Sequence, residues 1–421
     1  MSGRKEVMAN IRPFKAMRPS EAAAARIAAL PYDVYSREEA KQEVAKEPLS
    51  FLRIDRAETN FDDDVDTYDD RVYKKAGELL EEMEEKGYFI TDAAPSYYIY
   101  ELTMDGRTQT GIVAAADVED YLGNVIKRHE NTLKSKEEDR VRHVDALSAQ
   151  TGPIFLGYRA NEVINGVVSK VKGDGAAKLY DFTSEDGITH RCWRIDEKQD
   201  VDSIRAAFEG INEIYICDGH HRCASAVRVC MKRREAAGSY TGEEEFNYFL
   251  CVLFPDEELK IYDYNRVVKD LNSLSESRFL DRIRKKFIIE ELGEEPYRPE
   301  AKGNFGMYLG HRWYRLTIKE GLISDDTVEQ LDVSILQNEL LAPILNIEDP
   351  KTDKRISFVG GIRGLGELVR LVDSGKWEVA FSMYPTDIHE LFQVADENRL
   401  MPPKSTWFEP KLRSGLFIHK F

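Results

Sequence analysis

Residues 214–217, Ile-Tyr-Ile-Cys, form a short apolar run of strand type, and Cys223–Ala237 reads as a helix, which leaves Asp218, Gly219, His220, His221 and Arg222 as the connection. This juncture constrains the chain most. A strand that turns straight into a helix exposes the turn's side chains at a sheet edge and aims backbone N–H groups at an anion. The second constraint lies upstream. Tyr97–Met104 and Arg107–Val118 are strand-like runs joined by Asp105-Gly106, the strongest hairpin signal in the sequence.

With 421 residues and 42% hydrophobic content, the chain can bury a sizeable core, and its length favours two or three structural units. A net charge of −17 argues against a nucleic-acid binder that works through phosphate contacts, which needs clustered Lys and Arg. Small-molecule work fits better. No stretch approaches the roughly 20 apolar residues of a membrane span, and the start, Met1 to Val7, lacks the apolar core of a signal peptide. A cytoplasmic location without membrane partners is expected. The five cysteines, Cys192, Cys217, Cys223, Cys230 and Cys251, contain no CxxC pair, so they read as reduced core thiols.

Along the chain, Ser20 is placed to cap a helix over 21–30, and Ser36 with Glu39 gives a capping box for a helix to about Ala45. Residues 51–54 read as a strand, and Tyr73–Lys86 as a helix stopped by Gly87. Residues 125–147 form a helix or loop. Strands are expected at 153–158, 177–182, 190–195 and 247–254. Beyond 276, helices at 276–287, 328–341, 365–373 and 389–397 alternate with strands near 306–309, 313–318, 356–359 and 380–383. Mixed layers with hairpins predict an α+β architecture of mixed sheets. The expected parts are an N-terminal α/β segment (1–95), a core (96–270) and a C-terminal α/β domain with a docking tail (271–421).

The turn at 218–222 can be read in three ways. As phosphate chemistry, Gly219 permits close backbone approach, Arg222 is a forked donor, and His220 and His221 donate to charge on a transferred phosphoryl group. As a metal site, the histidines and Asp218 offer N and O ligands, although adjacent side chains rarely converge on one ion. As plain structure, the histidines bond locally. The polar cluster 127–132 holds His129 and Glu130, a carboxylate suited to take a proton from a hydroxyl, or else the polar start of a helix. The glycines of 357–367 match neither GxxxxGK[ST] nor GxGxxG and read as a tight structural turn. In the tail, Lys404, Lys411 and Arg413 either reach an anionic site or accompany docking of Trp407, Phe408, Leu416 and Phe417.

Five motifs in order are Ile11-Arg-Pro-Phe, Leu30-Pro-Tyr-Asp-Val, His129-Glu-Asn-Thr, Asp218-Gly-His-His-Arg and the tail from Met401 to Leu416. Together they resemble the bacterial and archaeal domain-of-unknown-function family one-zero-one-five over nearly the whole chain. The Asp-Gly-His-His-Arg turn also resembles the second box of the ParB/sulfiredoxin-like fold, Gly-x-x-Arg-x-x-Ala, with Gly219, Arg222 and Ser225 at its positions. That resemblance implies a nucleotide-binding core in which Asp218, Gly219, His220, His221, Arg222 and Ser225 hold phosphates at a helix N-terminus. Free-serine kinases of that fold are similar in this turn and in an upstream His-Glu pair, which implies Glu130 as the base, with His129 beside it. The implied activity is a kinase using ATP or ADP with Mg²⁺ on the hydroxyl of free serine or a similar small metabolite. His129, Asp33, Lys404, Lys411 and Arg413 are secondary candidates for substrate or phosphate contact. The alternatives are a non-catalytic nucleotide- or metabolite-binding regulatory protein and a metal-dependent hydrolase at His220 and His221.

Overall fold

The computed structural model describes residues 8–421, so the reading of Met1 to Val7 lies outside the described residues. It is a mixed α+β structure with several sheets. Contacts gather the described residues into two compact units, 8–259 with the returning segment Pro410–Phe421, and Lys260–Glu409. The sequence suggested divisions after 95 and 270. The helical segment before 95 falls in one unit with the sheet that follows, although it builds a core of its own.

The first unit is built on a mixed sheet. Its strands are β1 (Ile11–Arg12), β2 (Tyr97–Met104), β3 (Arg107–Asp117), β4 (Ile126–Lys127), β5 (Ile154–Tyr158), β6 (Lys178–Thr183), β7 (Thr189–Ile195), β8 (Ile214–Asp218) and β9 (Tyr248–Pro255). Their order is β4-β8-β5-β9-β3-β2-β7-β6, with β1 paired to β3. The β2–β3 hairpin closes through Asp105 and Gly106 at φ 51° and 77°, the left-handed pair that matches strand twist. β2, β3 and β9 are buried on both faces, and so read as near-continuous apolar runs. On one face lie α5 (Glu162–Lys172) and α6 (Lys198–Phe208), whose Ile164, Val167, Ile204 and Phe208 share a core with Ile112, Leu156 and Ile216.

A second core joins α1 (Glu21–Ile27), α2 (Arg37–Lys46) and α3 (Asp70–Glu85) through Ile27, Ala40, Phe51, Leu52, Ile54 and Leu80. The Ser36–Glu39 capping box forms as read, with both reciprocal bonds. Ser20 precedes α1, yet its side chain makes no capping bond. Residues 51–54 are a correction. Phe51, Leu52 and Ile54 are all buried, and the segment folds as the one-turn helix Leu52–Asp55, since packing among helices overrides the strand propensity of so short a run.

The second unit has the sheet β11-β13-β12-β15-β10-β14, from β10 (Tyr264–Val268), β11 (Phe287–Gly293), β12 (Asn304–Leu309), β13 (Arg312–Ile318), β14 (Ile356–Gly360) and β15 (Val379–Ser382). The helix expected over 276–287 ends at Ile283, and Phe287 opens β11. That expected over 328–341 starts at Asp332 and widens into a π-turn at Gln337–Leu341. The glycine run is a packing feature. A side chain at Gly361 would collide with the Asp263 carboxylate, and one at Gly360 with the Trp407 ring.

Asp332 carries a pH dependence. One carboxylate oxygen accepts from Gly303 N–H at 2.9 Å, the other is buried without a hydrogen-bond partner, and burial pushes the carboxyl up to about 7. The unfolded chain releases this proton near pH 4, so stability falls as pH rises from about 4 through 7, by on the order of 4 kcal/mol in full. Asp332→Asn keeps the acceptor and removes the charge. The variant is expected to melt higher than wild type at pH 8 and to lose that advantage at pH 5 in scanning calorimetry.

Candidate functional site

β8 runs through Asp218, and helix α7 (His220–Ala237) starts immediately after it. His220, His221 and Arg222 therefore occupy the first helical turn, and Gly219 alone makes the connection. The reason is its backbone: φ is +93°, a left-handed conformation that reverses the chain in one residue. Asp218 Oδ1 accepts from Gly219 N–H at 2.8 Å. The remaining first-turn amides of α7 lie at the positive end of an 18-residue helix.

Cations cluster here. Lys411 Nζ donates to Asp218 Oδ2 at 3.1 Å, and Arg222 Nη2 lies 4.0 Å from the same oxygen. Partial burial opposes the Asp218 charge, but Lys411 and Arg222 outweigh it and hold the carboxyl well below the usual carboxylate range. Arg222 Nη1 donates to the carbonyl of Pro153 at 2.5 Å, and its Nε and Nη2 lie beside Gly219. A Cβ on Gly219 would meet those nitrogens at 3.1 Å. Gly219→Ala is expected to cost about 1–2 kcal/mol from the left-handed backbone and to displace the guanidinium. Thermal melts should register it.

The upstream His-Glu pair is brought to this turn by strand pairing. β4 lies parallel to β8, with Ile126 opposite Ile214 and Lys127 opposite Tyr215, so residues 128–133 leave the sheet at the edge where β8 delivers the turn. His129 and His220 meet edge to face, ring centroids 4.5 Å apart. Leu133 N–H donates to His221 Nε2 at 2.9 Å, which fixes the His221 proton on Nδ1. Glu130, half-buried, sits between these two contacts in sequence. Burial pulls His129 down to about 4 and His220 well below the ordinary value, so both rings are neutral at pH 7. His220 is 8% exposed and its Nε2 has no hydrogen-bond partner. Ser225 is buried one turn into α7, its hydroxyl donating to the His221 carbonyl at 2.6 Å or, 3.2 Å away, to that of Glu137 in α4 (Lys134–Leu147).

The secondary candidates separate. Lys411 joins the turn. Arg413 is buried elsewhere in the first unit, paired with Asp186 and bonded to Ser184 at 3.1 Å and His190 at 3.3 Å. Lys404 belongs to the second unit, where its carbonyl accepts from Arg266. Asp33 lies in a one-turn 3₁₀ helix, Tyr32–Val34, and lines a cavity of about 240 Å³. Tyr32, Arg140 and His143 escaped the sequence reading. They line the same cavity and a narrower neighbouring one whose wall includes Arg222. Only the i, i+3 spacing of Arg140 and His143 on α4 signals a shared face.

For a metal, the fit is limited. Both Asp218 oxygens are already hydrogen-bonded, and among the described residues no group of three or more His, Cys, Asp or Glu is placed to hold an ion. All five cysteines are free and buried, and no helix among the described residues is long and apolar enough to cross a membrane.

The family model described as "Protein of unknown function (DUF1015)" matches residues 11–334. The chain belongs to that family. No curated protein matches it. Among solved structures, the chain is similar to a free serine kinase in complex with AMP, at 14% identity over 72% of this chain and 91% of that one, TM-score 0.33. It is also similar to SbnI with a C-terminal truncation from Staphylococcus aureus, at 11% identity, 72% and 87% coverage and TM-score 0.36. A conserved hypothetical protein from Pyrococcus furiosus matches at 15% identity, 73% and 94% coverage and TM-score 0.33.

Proposed function

We propose that this chain is a nucleotide-dependent kinase of small molecules, built on a ParB/sulfiredoxin-like core and acting on the hydroxyl of free serine or a similar metabolite. One observation carries the reading. The parallel β4–β8 pair sends residues 128–133 out beside the end of β8, and His129, next to Glu130 in the chain, packs on His220 in the first turn of a helix that also bears His221 and Arg222 and has Lys411 at its edge. A phosphate needs such a concentration of oriented N–H donors and fixed cations.

In this reading the first-turn amides of α7, Arg222 and Lys411 hold the phosphates of ATP or ADP. Glu130 takes the proton of the acceptor hydroxyl as that oxygen bonds to the terminal phosphorus and the bond to the leaving nucleotide breaks. The His221 Nδ1–H donates to charge growing on the transferred group. His220, neutral and packed on His129, holds the His-Glu strand end against the turn. Mg²⁺ bound with the nucleotide would supply charge neutralisation on the phosphates. Among the described residues the metal-dependent hydrolase reading finds no comparable ligand set.

The test is incubation of the full chain with ATP or ADP, Mg²⁺ and a panel of amino acids and polyols. A phosphorylated acceptor is the expected product. Absence of both nucleotide binding and product would remove the proposal.

A further inference from the structure

The 240 Å³ cavity that holds Asp33 has an unusual charge inventory. It is walled by the 3₁₀ turn Tyr32–Val34, residues 55–58, the start of α3 and one face of α4. Most of its charges are matched internally. Arg56 pairs with Glu58 at 2.6 Å, Arg140 with Asp139 at 2.8 Å, and Asp55 accepts from Thr151 at 3.0 Å. Two exposed charges have no side-chain partner at all among the described residues. Asp33, on the turn, and Lys136, on α4, are both exposed, and among the described residues neither side chain makes a hydrogen bond or ion pair.

One spare carboxylate and one spare ammonium, contributed by different walls of one cavity, complement a ligand carrying both charges. The tyrosines suit its cationic end. Tyr32, Tyr35, Tyr68 and Tyr73 line the space, and ring faces attract ammonium groups. Arg140 already occupies the face of Tyr32, its guanidinium 3.9 Å from the centroid. The size also fits, since 240 Å³ is many times the roughly 10–15 Å³ that one water needs on this measure. Tyr32, Asp55, Arg140 and His143 also line the narrower cavity that Arg222 borders, so the two cavities adjoin on the side of the proposed phosphate site.

We infer that this cavity is a binding site for a small amino-acid zwitterion, with Asp33 taking the ammonium and Lys136 the carboxylate. The inference deepens the kinase reading, on which it rests for the fate of the hydroxyl, by naming where the acceptor sits and what selects it. It leaves Glu130 as the base.

Calorimetric titration of the full chain with L-serine, L-homoserine, ethanolamine and glycerate, without nucleotide, tests it. At least one of the two amino acids should bind, and ethanolamine and glycerate, each lacking one charge, should bind roughly tenfold more weakly or worse. Asp33→Asn should erase the preference over glycerate, and Lys136→Met the preference over ethanolamine. Both variants should keep wild-type nucleotide affinity, because both residues are exposed and neither belongs to the proposed phosphate site. No amino-acid binding, equal binding of all four ligands, or variants that bind like wild type would overturn the assignment. If product forms in the kinase assay while acceptor KM is unchanged in both variants, the cavity assignment falls alone. If zwitterions bind as described and no product forms with any nucleotide, the kinase reading falls and the cavity assignment stands.

Discussion

Glu130→Gln is expected to lower phosphoryl transfer by about 10²–10⁴-fold while leaving nucleotide affinity nearly unchanged. The substitution keeps the size and removes only the ability to accept a proton. The half-buried carboxylate leaves the sheet beside β8, between His129 packed on His220 and Leu133 bonded to His221, so its neighbours should hold the amide in the same place. Steady-state turnover together with nucleotide titration measures both halves. A non-catalytic nucleotide sensor would show no turnover in either protein and no response to the change, which separates the two function classes in one experiment.

Arg222→Ala is expected to weaken nucleotide binding by about ten- to a hundredfold, the range of a charge-assisted hydrogen bond to phosphate. It should also lower turnover, because the same guanidinium faces the transferring group in the proposed site. The side chain has a structural duty as well, its bond to the Pro153 carbonyl, so a thermal melt must accompany the titration. Lys411→Met provides the comparison. It removes a cation from the same carboxylate without touching Pro153, and should weaken nucleotide binding in the same direction.

The strand, turn and helix around residue 218 could be read from the sequence because their signals are local: an apolar run, one glycine and a small-residue helix. The hairpin at Asp105-Gly106 was legible for the same reason. The helix start was misjudged by three residues, since nothing in the sequence shows that Gly219 completes the reversal alone at φ +93°. Residues 51–54 were misread because a run that short is decided by what packs on it. The long-range partners were hidden. Lys411 reaches Asp218 across 193 residues, and Arg413, two positions further on, turns instead to Asp186. The meeting of His129 with His220 depends on the parallel register of β4 and β8, which no local pattern specifies.

The most direct test of the phosphate cradle is a crystal structure of the full chain soaked with ADP and Mg²⁺. The account predicts phosphate oxygens within about 3 Å, or one bridging water, of Arg222 or the first-turn amides of α7. Phosphates bound elsewhere, with this turn contacting only protein, would contradict it.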